Sequence, residues 1–359
     1  MVSLYSGAGG LDLGFRQAGY ELEFANDLDP LARESYSLVH SDAPGQIDHE
    51  YVVGDLSADF SVLGRRESSV LVGGPPCQGF SRAGRMNPSD PRSRHVRAFI
   101  QAAESMRPRA FVMENVRALA THPRWTSVLD TLKDEAHLAG YETTTLLLNA
   151  RDYGVPQSRE RMFLIGYRRG DLDVDILRRP VGLRRSSVRS ALQALGHPGP
   201  TWQQCRARIV PALAPVIRRS PFAGMMFNGQ GRPLDLDGVA PTISASLGGN
   251  HTPIVDQLWL DNPDERGLAT RTYHHQVVSG GHAEVPTSWR RISLREAAAL
   301  QGFPDVAWDA PLSARFRHVG NAVPPPLAQE VATRLRLALG SPAMATPDKV
   351  KLGGLQLTA

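Results

Sequence analysis

The chain has 359 residues, of which 42% are hydrophobic, and a formal net charge of +4. This length exceeds what a single hydrophobic core usually supports, so we expect two domains. The sequence has no apolar run of about 18 residues and no signal peptide, so we expect a cytoplasmic protein. Its two cysteines, Cys77 and Cys205, are too few for a disulfide framework or a Cys-x-x-Cys zinc site, so we expect no structural metal.

The first half of the chain alternates short apolar segments with amphipathic ones. The predicted strands are 1–5, 22–26, 51–53, 70–72, 110–113, 141–149 and 162–167, and the predicted helices include 11–18 and 96–106. Strands that alternate with helices predict an α/β fold with a doubly wound, mostly parallel sheet. Ligands bind at the carboxyl ends of the strands in such sheets, so functional residues should directly follow strands.

This pattern fades after residue 167. Residues 168–285 are rich in Arg, Gly, Pro and Ser, with short strand-like segments at 242–246 and 276–279, and predict a second, smaller, loop-rich domain. Order returns at 293–301, where Ser293 and Glu296 form a capping box, and at 326–339, a helix that Gly340 ends. We expect a catalytic domain at 1–167, a recognition domain at 168–285, a return segment at 286–340 that completes the catalytic domain, and a tail at 341–359 with the composition of a mobile segment.

Basic residues concentrate in the middle of the chain. Residues 151–230 contain fourteen arginines and five acidic residues, a local excess of nine positive charges. Such a stretch is suited to contact a polyanion. A GC-rich genome, which favours arginine codons, explains the same composition, so charge alone leaves both interpretations open.

A glycine-rich turn, Tyr5-Ser6-Gly7-Ala8-Gly9-Gly10, joins the first predicted strand to the first helix. Glycines let the backbone turn tightly there and leave room for a ligand at the helix N-terminus, although a plain tight turn has the same pattern. Asp27 follows the second strand, where a carboxylate can accept from both ribose hydroxyls, and Asp55 follows the third, where it can accept from an adenine amino group. Either acid is also suited to cap a helix.

The segment with the most specific chemistry is Gly73-Gly74-Pro75-Pro76-Cys77-Gln78-Gly79-Phe80-Ser81, directly after the strand at 70–72. A cysteine between prolines and a glycine at a strand end is presented to a ligand, and its thiolate suits a weakly electrophilic ring carbon such as carbon 6 of cytosine. Glu114, in Glu114-Asn115-Val116 after the strand at 110–113, lies at the same predicted sheet edge and can hold N3 and the exocyclic amine of that ring. A buried structural cysteine and a surface glutamate are the simpler interpretations of each residue taken alone.

Six segments, in chain order, resemble motifs of the DNA cytosine-C5 methyltransferase family. They are the turn at 5–10, with Tyr5 where phenylalanine is commoner, Pro76-Cys77, Glu114-Asn115-Val116, Gln157-Ser158-Arg159-Glu160-Arg161, Arg295-Glu296-Ala297-Ala298 with Leu300-Gln301-Gly302-Phe303-Pro304, and Gly320-Asn321-Ala322-Val323-Pro324. The resemblance runs from residue 2 to about residue 335, with a gap in the middle of the chain. Six motifs in this order make it specific.

The resemblance implies an S-adenosylmethionine-dependent enzyme that methylates carbon 5 of a flipped cytosine in a specific duplex sequence, through a covalent bond between Cys77 and carbon 6. It implies that the catalytic residues are Cys77, Glu114, Arg159 and Arg161, with the two arginines flanking the base and the DNA backbone. The residues expected to bind S-adenosylmethionine are Tyr5, Ser6, Gly7, Gly9, Gly10, Asp27, Leu28, Asp55, Leu56, Pro75, Asn321 and Val323.

Two DNA-contacting regions are implied as well. The basic loop after Ser81 is similar to the family's catalytic loop, and the segment 241–250 is similar to the core of its recognition domain. The residues expected to contact DNA are Gln78, Ser81, Arg82, Arg85, Asn228, Gln230, Arg232, Thr242, Gly248, Gly249 and Asn250, with Arg184, Arg185, Arg218 and Arg219 as phosphate contacts. Solvated loop and turn residues are the alternative explanation of these positions.

Double-stranded DNA is the expected partner, a cognate restriction or defence system a further one, and we expect a monomer. The tRNA-methylating branch of the family shares this chemistry, a catalytically silent DNA-binding regulator shares the motifs, and a nicotinamide dehydrogenase shares the sheet. Gly79-Phe80-Ser81 after Cys77-Gln78 resembles the DNA-acting members, and the intact Cys77, Glu114 and Arg159 argue against a silent regulator. The sequence does not reveal the target site.

Overall fold

The computed structural model describes residues 1–40, 47–57, 59–66, 69–76, 94–170, 172–179, 184–198, 205–229, 231–305 and 312–340. Internal contacts divide these residues into two compact units. We call the described parts of 1–153, 160–179 and 322–340 the sheet unit, and those of 154–159, 184–305 and 312–321 the arginine-rich unit.

The sheet unit is built on a seven-stranded sheet. Its strands are β1 (Val2–Leu4), β2 (Phe24–Asp27), β3 (Glu50–Val53), β4 (Val70–Gly73), β5 (Ala110–Val116), β6 (Tyr141–Asn149) and β7 (Glu160–Arg168). Their spatial order is β3-β2-β1-β4-β5-β7-β6, and every neighbouring pair is parallel except the two that contain β7. The predicted doubly wound, mostly parallel sheet is confirmed.

The helices of this unit are α1 (Gly10–Gln17), α2 (Pro30–His40), α3 (Arg94–Met106), α4 (Arg117–Thr121), α5 (Thr126–Leu138), α6 (Val174–Arg178) and α12 (Pro325–Ala338). Phe99 on α3, Phe111 on β5 and Tyr141 on β6 form an aromatic chain, with edge-to-face pairs 6.0 Å and 5.2 Å apart. Each such pair contributes about 0.5–1.5 kcal/mol beyond the burial of its area. This packing fixes β5, the strand that carries Glu114.

Strand register brings the predicted functional positions to one edge of the sheet. Leu4 pairs with both Asn26 and Gly73, and Gly73 pairs with Met113, so β1, β2 and β4 end at about the level of Met113, and β5 extends three residues beyond it. The order of the strands reverses between β1 and β4, which is where ligands bind in sheets of this type. The residues that follow these strands therefore share one ligand-binding edge.

The arginine-rich unit combines two short antiparallel strand pairs with five helices. Its elements are β8 (Pro211–Val216), β9 (Met225–Phe227), β10 (Ile254–Asp256), β11 (Trp289–Arg291), α7 (Val188–Gln193), α8 (Gln257–Asp261), α9 (Leu268–Val278), α10 (Leu294–Leu300) and α11 (Leu312–Asn321). β8 pairs with β9, and β10 pairs with β11. Phe227, Tyr273 and Trp289 pack in its core with ring centroids 5.1–5.5 Å apart.

Two strand expectations for this unit are wrong. Residues 242–244 have no regular structure and 245–250 form turns, because the amide of Ile243 donates to the Gln157 side chain, at 2.8 Å, and not to a neighbouring strand. Residues 276–278 are the last turn of α9, whose Tyr273 is buried in the core. The two C-terminal helices are confirmed, α10 with its Ser293–Glu296 capping box and α12.

The compact units also divide the chain differently from the expected domains. β11, α10 and α11 belong to the arginine-rich unit, because β11 pairs with β10 and α10 packs against α7 and α11. Of the expected return segment, α12 lies in the sheet unit, where it packs against α1. Residues 341–359 lie outside the described residues.

Candidate active site

The glycine turn between β1 and α1 is tied to the end of β2. The amide of Gly7 donates to Oδ2 of Asp27 at 2.8 Å, and the amide of Ser6 donates to the carbonyl of Asn26 at 2.9 Å. Gly7 and Gly9 have φ angles of 55° and 77°, a left-handed conformation that glycine adopts without a steric cost. The sequence therefore builds this turn with the backbone it requires.

A buried carboxyl group lies beneath the turn. Asp12 on α1 is fully buried, and it accepts from the Ser3 hydroxyl at 2.6 Å and from the Tyr36 hydroxyl at 2.9 Å. Burial raises the pKa of Asp12 to about 6. The Ser3 hydroxyl is also 3.0 Å from that of Ser6, so this network connects α1, β1, α2 and the turn.

His40, at the end of α2, supports the same turn. Its Nε2–H donates to the carbonyl of Gly9 at 2.9 Å, and its ring stacks on Tyr36 with centroids 4.1 Å apart. Burial lowers the pKa of His40 to about 3, so the ring is neutral at physiological pH. A Cβ at Gly9 would lie 2.3 Å from Nε2 of His40, so this position tolerates no side chain.

The predicted cofactor-binding residues around the turn are chemically suited to a nucleoside. Both oxygens of Asp27 accept backbone amides, from Gly7 and from Asp29 (2.9 Å), and these contacts orient the carboxyl group. Leu28 is 61% exposed, and apart from the chain neighbours of Gly7 no described atom lies within 4 Å of a Cβ built there. A carboxyl group, an exposed apolar side chain and space beside Gly7 suit the hydroxyls and the base of S-adenosylmethionine.

The remaining predicted cofactor residues differ in their exposure. Asp55 is exposed, and hydrogen bonds from Ser57 hold its pKa below the usual range. Val323, in the sheet unit, is buried, whereas Asn321 ends α11 in the arginine-rich unit and is exposed. Leu56 is half-buried and Ser6 and Gly10 are buried.

Tyr5 shows backbone strain at its predicted position in the turn. Its φ of 57° is unusual for a residue with a side chain, and strain of this kind persists where the surroundings enforce it. The Tyr5 hydroxyl is 3.3 Å from Nδ1 of His95, and the two rings meet edge to face. Burial raises the pKa of Tyr5 above its usual value, so its hydroxyl stays protonated.

Glu114 and Arg161 form an ion pair at the end of β5. Val116 on β5 faces Arg161 on β7, so Glu114, two residues away, lies on the same face of the sheet and reaches it diagonally. Nε of Arg161 is 2.7 Å from Oε1 of Glu114, and the side chains are only 12% and 10% exposed. The other carboxylate oxygen faces Gly74, where a Cβ would approach it to 3.1 Å.

Asn115 holds the segment that leads to the predicted nucleophile. Its fully buried side chain donates to the carbonyl of Pro75 at 3.1 Å. Pro75 is itself buried and lies two residues before Cys77. Asn115 belongs to the predicted Glu114-Asn115-Val116 motif, but this contact was not predicted. Cys77, Gln78, Ser81, Arg82 and Arg85 lie outside the described residues.

Arg159 has contacts that differ from its predicted ones. It was expected to flank the base and the DNA backbone, but it is 1% exposed. Its guanidinium donates to the carbonyls of Ile243 (2.9 Å), Gly320 (2.9 Å) and Asn321 (3.2 Å) within the arginine-rich unit. With these donors used and the side chain buried, Arg159 joins two chain segments, and Arg161 is the arginine that contacts a catalytic candidate.

Asn228 was predicted to contact base edges, but its side chain forms internal hydrogen bonds. Its Nδ2 donates to the Arg208 carbonyl at 3.1 Å and to Oδ1 of Asn250 at 2.9 Å. Its Oδ1 accepts from the Val210 amide at 3.1 Å and from Arg291 at 3.0 Å. These internal bonds use both ends of the side-chain amide, so its role is structural.

The other predicted DNA-contacting residues remain compatible with that role. The hydroxyl of Thr242 donates to the carbonyl of Ser158 at 2.7 Å, and the residue is exposed. Asn250 is exposed, Arg232, Gly248 and Gly249 are half-buried, and Gln230 lies outside the described residues. Arg184, Arg185, Arg218 and Arg219 are all exposed.

Comparison with known proteins identifies the family. A sequence model described as C-5 cytosine-specific DNA methylase matches residues 1–190 and 243–336, well over half of the chain. The chain belongs to this family. It is accordingly an S-adenosylmethionine-dependent DNA cytosine-5 methyltransferase, as the motifs predicted.

Two curated relatives match nearly the whole methyltransferase. Type II methyltransferase M.MthTI of Methanothermobacter thermautotrophicus is 31% identical over 94% of this chain and 96% of its own. Type II methyltransferase M.FnuDI of Fusobacterium nucleatum is 31% identical over 94% of both chains. Among solved structures, S. pombe Dnmt2 methyltransferase has a TM-score of 0.62 at 18% identity, covering 94% of this chain and 97% of its own, which shows a shared fold.

The described part of the methyltransferase contains no helix with the length and apolar character of a membrane span. The same residues contain no group of three or more His, Cys, Asp or Glu side chains suited to hold a metal ion.

Proposed function

We propose that this methyltransferase acts on a flipped-out cytosine in a specific duplex sequence, through a covalent bond between Sγ of Cys77 and carbon 6 of the base. The observation that carries the proposal is the buried ion pair between Glu114 and Arg161 at the carboxyl end of β5. One oxygen of Glu114 is held by Arg161, and the other faces Gly74, three residues before Cys77. A base that enters this edge of the sheet meets the nucleophile and the carboxyl group together.

Each of these side chains has one task in the reaction. The Cys77 thiolate adds to carbon 6, and Glu114 shares a proton with N3, which offsets the charge that develops in the ring. Arg161 orients Glu114, and Asn115 fixes Pro75 and so the approach of Cys77. Addition at carbon 6 makes carbon 5 nucleophilic, so that carbon 5 would accept the methyl group supplied by the cofactor. Loss of the carbon 5 proton to a base, with elimination of the Cys77 thiolate, would then release the methylated cytosine.

The glycine turn and the acids after β2 and β3 are proposed to hold the cofactor. Asp27 would accept from the ribose hydroxyls and Asp55 from the adenine amino group, with Leu28 and Leu56 against the base. When bound there, S-adenosylmethionine supplies an electrophilic methyl group. Asp12, Tyr36 and His40 support this turn from beneath and are therefore positioning residues.

Recognition of the DNA sequence is proposed to belong to the arginine-rich unit, with exposed arginines as phosphate contacts. This part of the proposal is supported by the exposure of Arg184, Arg185, Arg218 and Arg219, and by the sequence of 184–219, which contains seven arginines and no acidic residue. We further propose that the enzyme works beside a restriction enzyme, because its relatives are named as type II methyltransferases, and that it acts as a monomer in the cytoplasm.

Mechanism-based trapping tests the proposal. Duplex DNA that contains 5-fluorocytosine should form a stable covalent complex, because fluorine at carbon 5 cannot leave as a proton does. Cys77→Ala should abolish trapping and turnover, whereas Cys205→Ala, at the other cysteine of the chain, should change neither. A turning-over Cys77→Ala enzyme would refute the mechanism, and a preference for tRNA over duplex DNA in the same assay would refute the substrate.

A further inference from the structure

Arg291, the last residue of β11, is a buried guanidinium whose five N–H donors are all used. It is 3% exposed. Nε donates to the Ala207 carbonyl (3.1 Å), Nη1 to the carbonyls of Asn250 (3.0 Å) and Thr252 (2.6 Å), and Nη2 to the Arg208 carbonyl (3.2 Å) and the Asn228 side chain (3.0 Å). An arginine side chain has five N–H donors in a fixed fork, so this site matches its full hydrogen-bonding capacity.

These acceptors come from three separate segments of the arginine-rich unit. Ala207 and Arg208 precede β8, and Asn228 directly follows β9, so two of the segments form the base of the β8–β9 hairpin. Asn250 and Thr252 belong to the turn region before β10. Arg291 therefore fastens the base of the hairpin to the glycine-containing turn at 245–250.

The chain is adapted to this guanidinium. A Cβ at Gly231 would lie 2.2 Å from Nη1 of Arg291, and a Cβ at Gly229 would lie 2.3 Å from Cβ of Asn250. Glycine at 231 lets the backbone approach the guanidinium closely, and glycine at 229 lets it approach Asn250, whose carbonyl the guanidinium binds. Burial lowers the pKa of Arg291 from its usual value, but an arginine stays charged, and its carbonyl acceptors compensate that charge.

The hairpin that Arg291 fixes has the surface of a DNA-contacting element. Leu213, Val216 and Ile217 are 107%, 37% and 40% exposed, and Arg218 and Arg219 are exposed directly after them. From Ile176 to Leu234 the sequence contains ten arginines and no acidic residue. Exposed aliphatic groups suit thymine methyls and arginines suit phosphates. The hairpin also lies in residues 191–242, which the family model leaves unmatched, as expected for a region that differs between enzymes of different specificity.

We propose that Arg291 is a positioning residue for target-sequence specificity, because it sets the β8–β9 hairpin against the turn at 245–250. The inference rests on the proposed recognition role of the arginine-rich unit. Arg291 touches neither the base nor the cofactor in this scheme. Its loss therefore changes which sequences are methylated more than how fast the preferred sequence is methylated.

Bisulfite sequencing of a randomised duplex library measures which sequences each variant methylates. In Arg291→Lys the ammonium supplies only three donors. The ratio of kcat/KM at the preferred site to kcat/KM at the best single-base mismatch should fall by about tenfold or more. The kcat at the preferred site should stay within about threefold of the wild-type value. Arg271→Lys, at an exposed arginine of α9 with one carbonyl contact, is the matched control and should leave the ratio unchanged. A purely structural role would lower the unfolding temperature without altering the set of methylated sites.

Asn228→Ala provides a second variant if Arg291→Lys does not fold, because it removes one acceptor and leaves the arginine in place. It should relax specificity in the same direction, and the double variant should show less than the product of the two effects. An unchanged site spectrum in whichever variant folds overturns the inference. Failure of the proposed function would be seen separately, as a wild-type enzyme that methylates no preferred duplex sequence.

Discussion

The two units differ in how four of their buried groups are held. In the sheet unit, Glu114 faces the side chain of Arg161, and Asp12 faces the side chains of Ser3 and Tyr36. In the arginine-rich unit, Arg159 and Arg291 donate to backbone carbonyls that lie far apart in the sequence.

This difference follows from what positions each region. A sheet fixes its side chains through strand register, so the side chains at its edge are available for chemistry. A loop-rich unit has little regular backbone pairing, and its carbonyls are satisfied by many-donor side chains that also join its segments. Substitutions in the sheet unit should therefore change reaction steps, and substitutions of buried arginines in the other unit should change stability or specificity.

The largest expected effect is on the rate of the chemical step. Glu114→Gln keeps an oxygen for Arg161 but cannot share a proton with N3 in the same way, so kcat should fall by about 10²–10⁴-fold. DNA affinity should stay close to that of the wild type, because the loss concerns the transition state. Single-turnover kinetics and an equilibrium binding titration measure the two quantities.

Glu160→Gln is the matched control for this variant. Glu160 lies on β7, is exposed and pairs with the exposed Arg117 at 2.9 Å. A surface ion pair contributes about 0–1 kcal/mol, so turnover should remain normal. An equal loss of DNA binding in Glu114→Gln would instead assign Glu114 to positioning the DNA.

Arg159 and Arg161 are two residues apart but belong to different units, so substitutions at these positions test directly whether charged groups have different roles in the two units. Arg159→Met removes charged donors from three carbonyls, those of Ile243 and Gly320 in buried hydrogen bonds, and should lower the free energy of unfolding by about 3–4 kcal/mol. Arg161→Lys keeps a charge beside Glu114 and should lower turnover, with a smaller loss in the free energy of unfolding than Arg159→Met because no charged partner of Glu114 is removed. Urea denaturation with activity assays on both variants distinguishes these outcomes, and the reverse pattern would contradict the division of roles.

The sequence predicted the sheet because its strands are local patterns of apolar residues bounded by turns. The same logic placed Asp27, Asp55 and Glu114 at the ends of strands, and their shared edge follows from parallel register. The insertion of the antiparallel β7 between β5 and β6 was not predicted, because spatial order depends on packing between distant elements. The segment 276–279 was taken for a strand because a short run with two valines has no decisive period.

The residues that the sequence analysis missed share one property, which is a partner remote in the chain. Arg291 contacts carbonyls 39 to 84 residues away, and Gln157 donates to the Leu300 carbonyl 143 residues away. Asp12 looks like an ordinary acid in the first turn of a helix, and only its burial against Ser3 and Tyr36 distinguishes it. Motif resemblance located the segments but did not separate the role of Arg159 from that of Arg161.

The buried carboxyl group beneath the cofactor turn predicts a pH-dependent stability. The pKa of Asp12 is raised from 3.8 to about 6, so ionisation between about pH 4 and pH 6 costs the folded state about 3 kcal/mol. The Asp12→Asn variant has no group that ionises at this position. The difference between its free energy of unfolding and that of the wild type should therefore shift by about 3 kcal/mol in favour of the variant as pH rises from about 4 to 7. Titration of His40, which has the opposite sign below pH 6.5, is common to both proteins and cancels in the difference.

Denaturation curves over this pH range provide the measurement. Asp134→Asn, at an exposed carboxyl on α5, is the control and should run parallel to the wild type. If the stability of Asp12→Asn changes with pH in parallel with that of the wild type, the Asp12 carboxyl of the wild type is solvated in solution.

The smallest expected effect concerns Asp27, which combines both ways of using a charged group. Its carboxylate is predicted to accept from the ribose, and it also holds the amides of Gly7 and Asp29, so it both binds the cofactor and shapes the turn. Asp27→Ala should raise the KM for S-adenosylmethionine by about 30-fold, equivalent to about 2 kcal/mol, with little change in the KM for DNA. Asp55→Asn is the contrasting variant, because Asp55 is exposed and its Oδ1 accepts the Ser57 amide at 2.9 Å without contacting the glycine turn. If calorimetry finds the same small loss of cofactor affinity for both variants, the two amide contacts of Asp27 add nothing to binding, and the turn is held by the Asp12 and His40 network alone.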